Sequence, residues 1–79
     1  MHKDQIFQTV QEIIQDALDL ENQPLTLASS AKDIERWDSV ANIGIIMSIE
    51  QEFGFKFDLS ELDTMNTVGD IVEAIEKHM

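Results

Sequence analysis

The stretch Trp37-Asp38-Ser39-Val40-Ala41-Asn42-Ile43-Gly44-Ile45-Ile46-Met47-Ser48-Ile49-Glu50-Gln51-Glu52-Phe53-Gly54 decides how this chain folds. Val40, Ile43, Ile46 or Met47, Ile49 and Phe53 recur at helical spacing. Gly54 supplies the left-handed stop with which many helices end. The spacing predicts a helix over about residues 39–53. Ser39 opens it, and a serine there usually caps a free backbone N–H; by itself that explanation is favoured roughly ten to one. Three features nevertheless single Ser39 out. It follows a long irregular segment. The other two helix starts downstream carry an acid three residues after the cap, Glu61 and Asp70, whereas Asn42 stands in that place after Ser39. The ten residues Val40 to Ile49 carry no charge in a very acidic chain. A helix start of this kind suits an anionic group such as a phosphodiester.

Working outward, residues 20–38 show no sustained period. Pro24 breaks any helix, while Ser29, Ser30 and Asp33 favour turns. Leu25, Leu27, Ile34 and Trp37 are expected to pin this long loop to the core. Upstream, Ile6, Phe7, Val10, Ile13, Ile14, Ala17 and Leu18 trace an amphipathic helix over about residues 3–19. Downstream, Phe55-Lys56-Phe57 alternates too briefly to make a sheet. Asp58-Leu59-Ser60-Glu61 predicts one short helical turn with Leu59, Leu62 and Met65 inward. Thr67-Val68-Gly69-Asp70 is a capping-box pattern. It starts a last helix whose stripe is Val68, Ile71, Val72, Ile75 and Met79. The expected architecture is all-α: three main helices, a short extra third helix and a long first loop.

Composition narrows the function. The chain has 79 residues, 16 acids against 5 bases, a net charge of −11, and no cysteine. No disulfide or cysteine-ligated metal can form, and His2 and His78 stand too far apart in sequence to suggest a metal cluster. Phosphates of nucleic acid and anionic membrane surfaces repel such a chain. At 43% hydrophobic it is too apolar for a disordered acidic tail. One minimal core consumes most of the apolar side chains, which favours a binding or carrying module over an enzyme. The start of the chain is amphipathic and lacks a signal core. Ser39 to Ile49, the longest uncharged apolar stretch, is too short to span a bilayer. A cytoplasmic monomer without membrane insertion is expected.

Asp38-Ser39-Val40, followed by Ile43, Ile46, Met47, Ile49-Glu50-Gln51-Glu52-Phe53-Gly54 and Phe57, resembles the acyl and peptidyl carrier proteins. Leu62-Asp63 and Thr67-Val68-Gly69-Asp70-Ile71, with Val72 and Ile75, are similar to that family's closing segment. The resemblance covers nearly the whole chain and implies one carrier domain, residues 1–79, folded as a four-helix bundle. It implies that Ser39 carries 4′-phosphopantetheine, transferred from coenzyme A by a phosphopantetheinyl transferase with magnesium. It makes Asp38 part of the recognition motif, or otherwise a cap. It implies further partners: an acyl- or aminoacyl-loading enzyme and downstream acyl-processing enzymes. The arm's thiol would hold cargo as a thioester in a fatty acid, polyketide, nonribosomal peptide or other specialised pathway.

The chain departs from the fatty-acid members of that family. They carry acids early in this helix and a leucine after the serine, where Val40, Ala41 and Gly44 stand here. Only Glu50 and Glu52 keep the later acidic cluster. Trp37 before the Asp-Ser pair is similar to stand-alone carriers of specialised pathways. The candidate partner contacts are Trp37 (read chiefly as a loop anchor), Val40, Ala41, Gly44, Ile45, Glu50 and Glu52, with Asn42 and Ser48 completing an uncharged patch. Gly44 is explained either by tight helix packing or by close approach of a partner. The rival function is an unmodified acidic helical adaptor for a basic protein. A calcium loop at Asp58, Glu61 and Asp63 lacks the glycine and closing glutamate that chemistry needs.

Overall fold

The computed structural model describes residues 2–20 and 23–78. Four helices follow one another: α1 Lys3–Leu18, α2 Ser39–Phe53, α3 Leu59–Thr64 and α4 Val68–Lys77. The expected bounds of α2 hold, α1 ends one residue early, and α3 runs longer than the single turn expected. Met79, assigned to the last stripe, lies outside the described residues.

The core has three helical contributors. Ile6, Val10, Ile14 and Leu18 form the stripe of α1; Ile45, Ile46 and Ile49 come from α2; Val68, Ile71, Val72, Ala74 and Ile75 come from α4. Helix α1 packs against both α2 and α4. Each fully buried aliphatic side chain contributes about 1.5–3 kcal/mol of transfer free energy. On α1, Phe7 and Ile13 are half-buried, and Ala17 is exposed.

One assignment of facing, on α3, is corrected, and the apolar repeat of α2 does not form a single buried stripe. On α2, Val40 and Ile43 point outward together with Met47, and Ile45 takes the core position. Almost every face of this helix carries an apolar residue, so its spacing does not select one. Packing against α1 and the tryptophan loop does. Helix α3 buries no residue: Leu59 is exposed, Leu62 lies at the surface, and only Met65 beyond it packs partly against the core.

The loop between α1 and α2 is tied down along its length. Leu20, Leu25, Ile34 and Trp37 are buried, whereas Leu27 is largely exposed. The Arg36 guanidinium donates to the carbonyls of Leu18 and Asp19, at 3.3 and 3.0 Å. It thereby satisfies acceptors that a helix C-terminus leaves open. Gln11 Oε1 accepts the Leu25 N–H at 2.8 Å. Further along, the loop meets the start of α4: Val68 N–H donates to Ser29 O, Gly69 N–H donates to Leu27 O, and Ser30 bridges Thr67. A Cβ on Gly69 would stand 3.0 Å from Leu27 O, so this approach requires glycine.

Two terminations are local. Gly54 closes α2 at φ +76°, a left-handed conformation glycine adopts freely. The Thr67 hydroxyl accepts the Asp70 N–H, and the Asp70 carboxylate accepts the N–H groups of Asn66 and Thr67. The expected capping box therefore starts α4.

Candidate functional site: the start of the second helix

The cap of α2 is Asp38, one residue earlier than the sequence suggested. Its carboxylate Oδ1 accepts the Ala41 N–H at 2.8 Å. Ser39 is the first helical residue, exposed, and its hydroxyl joins no hydrogen bond among the described residues. The serine is thus not needed to hold the helix end. Capping falls to Asp38, and the Ser39 hydroxyl is left without a hydrogen bond among the described residues.

The N–H groups of Ser39 and Val40 have no acceptor among the described residues, because a helix leaves its first donors open. No acidic side chain occupies the first turn. These donors and the positive end of the helix dipole favour an anion bonded to Ser39. The Asp38 carboxylate opposes such an anion at this end.

Beside the serine lies an open groove of about 740 Å³. Its walls come from Ser30 to Lys32, from Trp37 to Ser39 with Asn42, and from Met65 to Thr67. Three separate segments therefore meet at Ser39. The Ser30–Thr67 bridge brings the loop and the start of α4 together there. Lys32 adds a positive charge to the wall. Trp37 is buried below, and its Nε1–H donates to Asn42 Oδ1 at 3.0 Å. That bond fastens the end of the loop to the first turn of α2.

The residues expected to meet partners divide. Ile45 is a core residue and offers no surface, while Trp37 is a buried anchor whose small remaining exposure lines the groove. Glu50 is half-buried, and its Oε2 accepts the Phe57 N–H at 2.8 Å, closing the turn after α2. Ala41 is half-buried. Val40, Gly44 and Glu52 are exposed, and a Cβ on Gly44 would meet nothing within 4 Å. Tight internal packing therefore does not explain Gly44. Three features escaped the sequence reading: the Trp37–Asn42 bond, the groove, and the outward Ile43 and Met47. The first two depend on pairings between distant segments, which no local pattern announces.

At the far side of α4, His78 stacks on Phe55 with centroids 4.4 Å apart, and its Nε2 lies 2.8 Å from Glu61 Oε1. The Asp58 N–H first, and His78 second, hold the Glu61 carboxyl below its ordinary value of 4.5. Asp70 is held below 3.8 by the Asn66 N–H first, and then by its bonds with Thr67. Neither group adjoins Ser39.

The family described as "Phosphopantetheine attachment site" matches residues 8–75. The chain is 32% identical to an acyl carrier protein of Coprothermobacter proteolyticus, over 100% of this chain and 96% of that protein. The chain belongs to the acyl carrier protein family. An acyl carrier protein of Thermotoga maritima is 35% identical, over 98% of the carrier and 95% of that relative. The solution structure of holo acyl carrier protein from Geobacter metallireducens superposes with a TM-score of 0.83 at 32% identity, covering 90% of the carrier and 82% of that chain. A putative acyl carrier protein from Mycobacterium tuberculosis shares the fold, with a TM-score of 0.84 at 20% identity, covering 94% and 99%. Members of the family carry intermediates on 4′-phosphopantetheine and are not themselves catalysts. Among the described residues no helix is long and apolar enough to cross a membrane.

Proposed function

We propose that Ser39 is the residue of this carrier that bears 4′-phosphopantetheine. The observation that carries the reading is the freed hydroxyl: Asp38 caps α2, and Ser39 is exposed with no side-chain hydrogen bond among the described residues. In the attachment step Ser39 Oγ forms a bond to a phosphorus of coenzyme A. The oxygen–phosphorus bond to the departing nucleotide breaks, and the serine proton passes to a base of the transferase. The open N–H groups of Ser39 and Val40 then face the new phosphodiester, and Lys32 offers a nearby counter-charge. When bound, the arm supplies a terminal thiol that holds an acyl group as a thioester. The groove beside Ser39 gives that arm a mixed wall, with Trp37 and Met65 apolar and Asn42, Asn66 and Thr67 polar.

The partners of this reading are a phosphopantetheinyl transferase, a loading enzyme and acyl-processing enzymes. Because the first turns of α2 carry no acid, we assign the carrier to a specialised pathway over fatty acid synthesis. The test is to incubate the pure protein with coenzyme A, magnesium and a broad-specificity transferase, and then to weigh it. Wild type gains one phosphopantetheinyl group and Ser39→Ala gains none. An equal gain on Ser39→Ala moves the site elsewhere. No gain on wild type returns the protein to an unmodified adaptor.

A further inference from the structure

Asn42 stands three residues after Ser39 on the same side of α2, and both line the groove. Side chains of a helix lean toward its N-terminus, so Asn42 leans back over the turn that Ser39 begins. Its Oδ1 accepts the Trp37 indole N–H at 3.0 Å. An indole nitrogen can only donate, so this bond fixes which way round the Asn42 amide stands. Oδ1 faces the tryptophan, and Nδ2 with its two N–H groups is turned away from it. Those N–H groups meet no acceptor among the described residues. Trp37 is buried and Asn42 half-buried, so the amide is held from below and its donors are preset.

The other polar side chains of the groove are engaged or undirected. The Ser30 hydroxyl donates to Asp33, the Asp38 carboxylate caps α2, and the Thr67 hydroxyl accepts the Asp70 N–H. Asn66 and Lys32 are exposed, and no buried partner aims them.

We propose that Asn42 binds the group carried on Ser39, with Nδ2 donating to a phosphodiester oxygen, and that Trp37 is the positioning residue that aims it. The proposal rests on the reading of Ser39 as the attachment site. A phosphodiester is an anion, and a hydrogen bond to a charged acceptor contributes more than one to a neutral acceptor. One amide then serves two bonds. Donation from Nδ2 to an anion draws electron density onto Oδ1 and makes it a better acceptor for the indole, since linked hydrogen bonds polarise one another. Loading of Ser39 is therefore felt at Trp37. The chain has one tryptophan, so its indole N–H gives a single signal by which to follow this.

The test compares the full chain with and without the arm, added from coenzyme A by a broad-specificity transferase and checked by intact mass. In wild type, loading slows exchange of the Asn42 Nδ2 protons with water at least about tenfold. It also moves the indole N–H signal downfield. The phosphorus NMR signal of the loaded chain is displaced in Asn42→Ala and in Asn42→Asp alike. Asn42→Asp keeps an oxygen for the indole, and circular dichroism checks that both variants keep their helices. If wild type is loaded and the Nδ2 protons exchange as fast as before, the inference fails while the Ser39 reading stands. Displacement of the phosphorus signal in neither variant also overturns it. So does displacement in only one, which assigns the effect to added charge for Asn42→Asp or to the lost indole partner for Asn42→Ala. An unmoved indole signal overturns the part given to Trp37. If Asn42→Ala does not fold, proton exchange in wild type decides. If wild type is never loaded, the Ser39 reading falls and takes this inference with it.

Discussion

The indole N–H of Trp37 donates to the side-chain carbonyl of Asn42 at 3.0 Å, across the point where the long loop becomes α2. Trp37 is buried and the bond is part-buried, so this donor is poorly compensated without Asn42. Asn42→Leu leaves it unpaired. We expect a loss of about 1–3 kcal/mol in urea unfolding, with a change in tryptophan emission in the folded state. An emission spectrum and midpoint equal to wild type would refute the role given to Asn42.

Neighbouring residues at the helix start predict opposite outcomes. Asp38→Ala removes the cap and lowers stability by about 1 kcal/mol. Ser39→Ala removes no hydrogen bond seen among the described residues and changes stability by less than about 0.5 kcal/mol. Denaturant titration of the two unmodified variants decides it. The reverse order would restore Ser39 as the cap.

The glycines of α2 and α4 also separate. Gly44 is exposed with space around it, so Gly44→Ala removes a helix penalty and stabilises by about 0.8–1 kcal/mol. Gly69→Ala drives a methyl group against Leu27 O, the same atom that accepts the Gly69 N–H, and destabilises by about 1–3 kcal/mol. Thermal melts of both variants check the signs.

Acid weakens the fold in a defined window. Glu61 and Asp70 give up their protons more readily in the folded chain than in the unfolded one. The unfolded chain therefore holds more protons on falling pH, and stability rises with pH across that window. The contribution is whole above the ordinary values of 4.5 and 3.8, and it is lost as pH falls through the lowered folded values. Both groups lie near the surface, where solvent screens them, so the effect is modest. Unfolding titrations stepped downward from neutral pH should show a shallower loss for Glu61→Gln/Asp70→Asn. Identical slopes would dismiss these two carboxyls as the cause.

Most of the fold was written in short-range chemistry. The Thr67–Asp70 capping box, the Gly54 stop and the stripes of α1 and α4 each depend on residues within a few positions. The sequence therefore carries them openly. Helix α2 is different: with Val40, Ile43, Ile45, Ile46, Met47 and Ile49 spread round it, only the neighbouring elements choose which residues go inside. Leu59 and Leu62 were misjudged because α3 is too short to bury a face. Ser39 stood out by sequence, but the reason its hydroxyl is free did not. That required seeing Asp38 take the cap.

The bonds between the first loop and the start of α4 have a consequence for the order in which the chain can mature. Ser29, Leu27 and Ser30 find their partners on Thr67, Val68 and Gly69, and α1 rests its apolar stripe on α4. Those partners follow α1, the loop and α2 in the order of synthesis. A nascent chain that has made α1, the loop and α2 still lacks the segment against which α1 and the loop settle. Locking the architecture is therefore a late and cooperative event, and the groove beside Ser39 comes into being only when the final helix arrives.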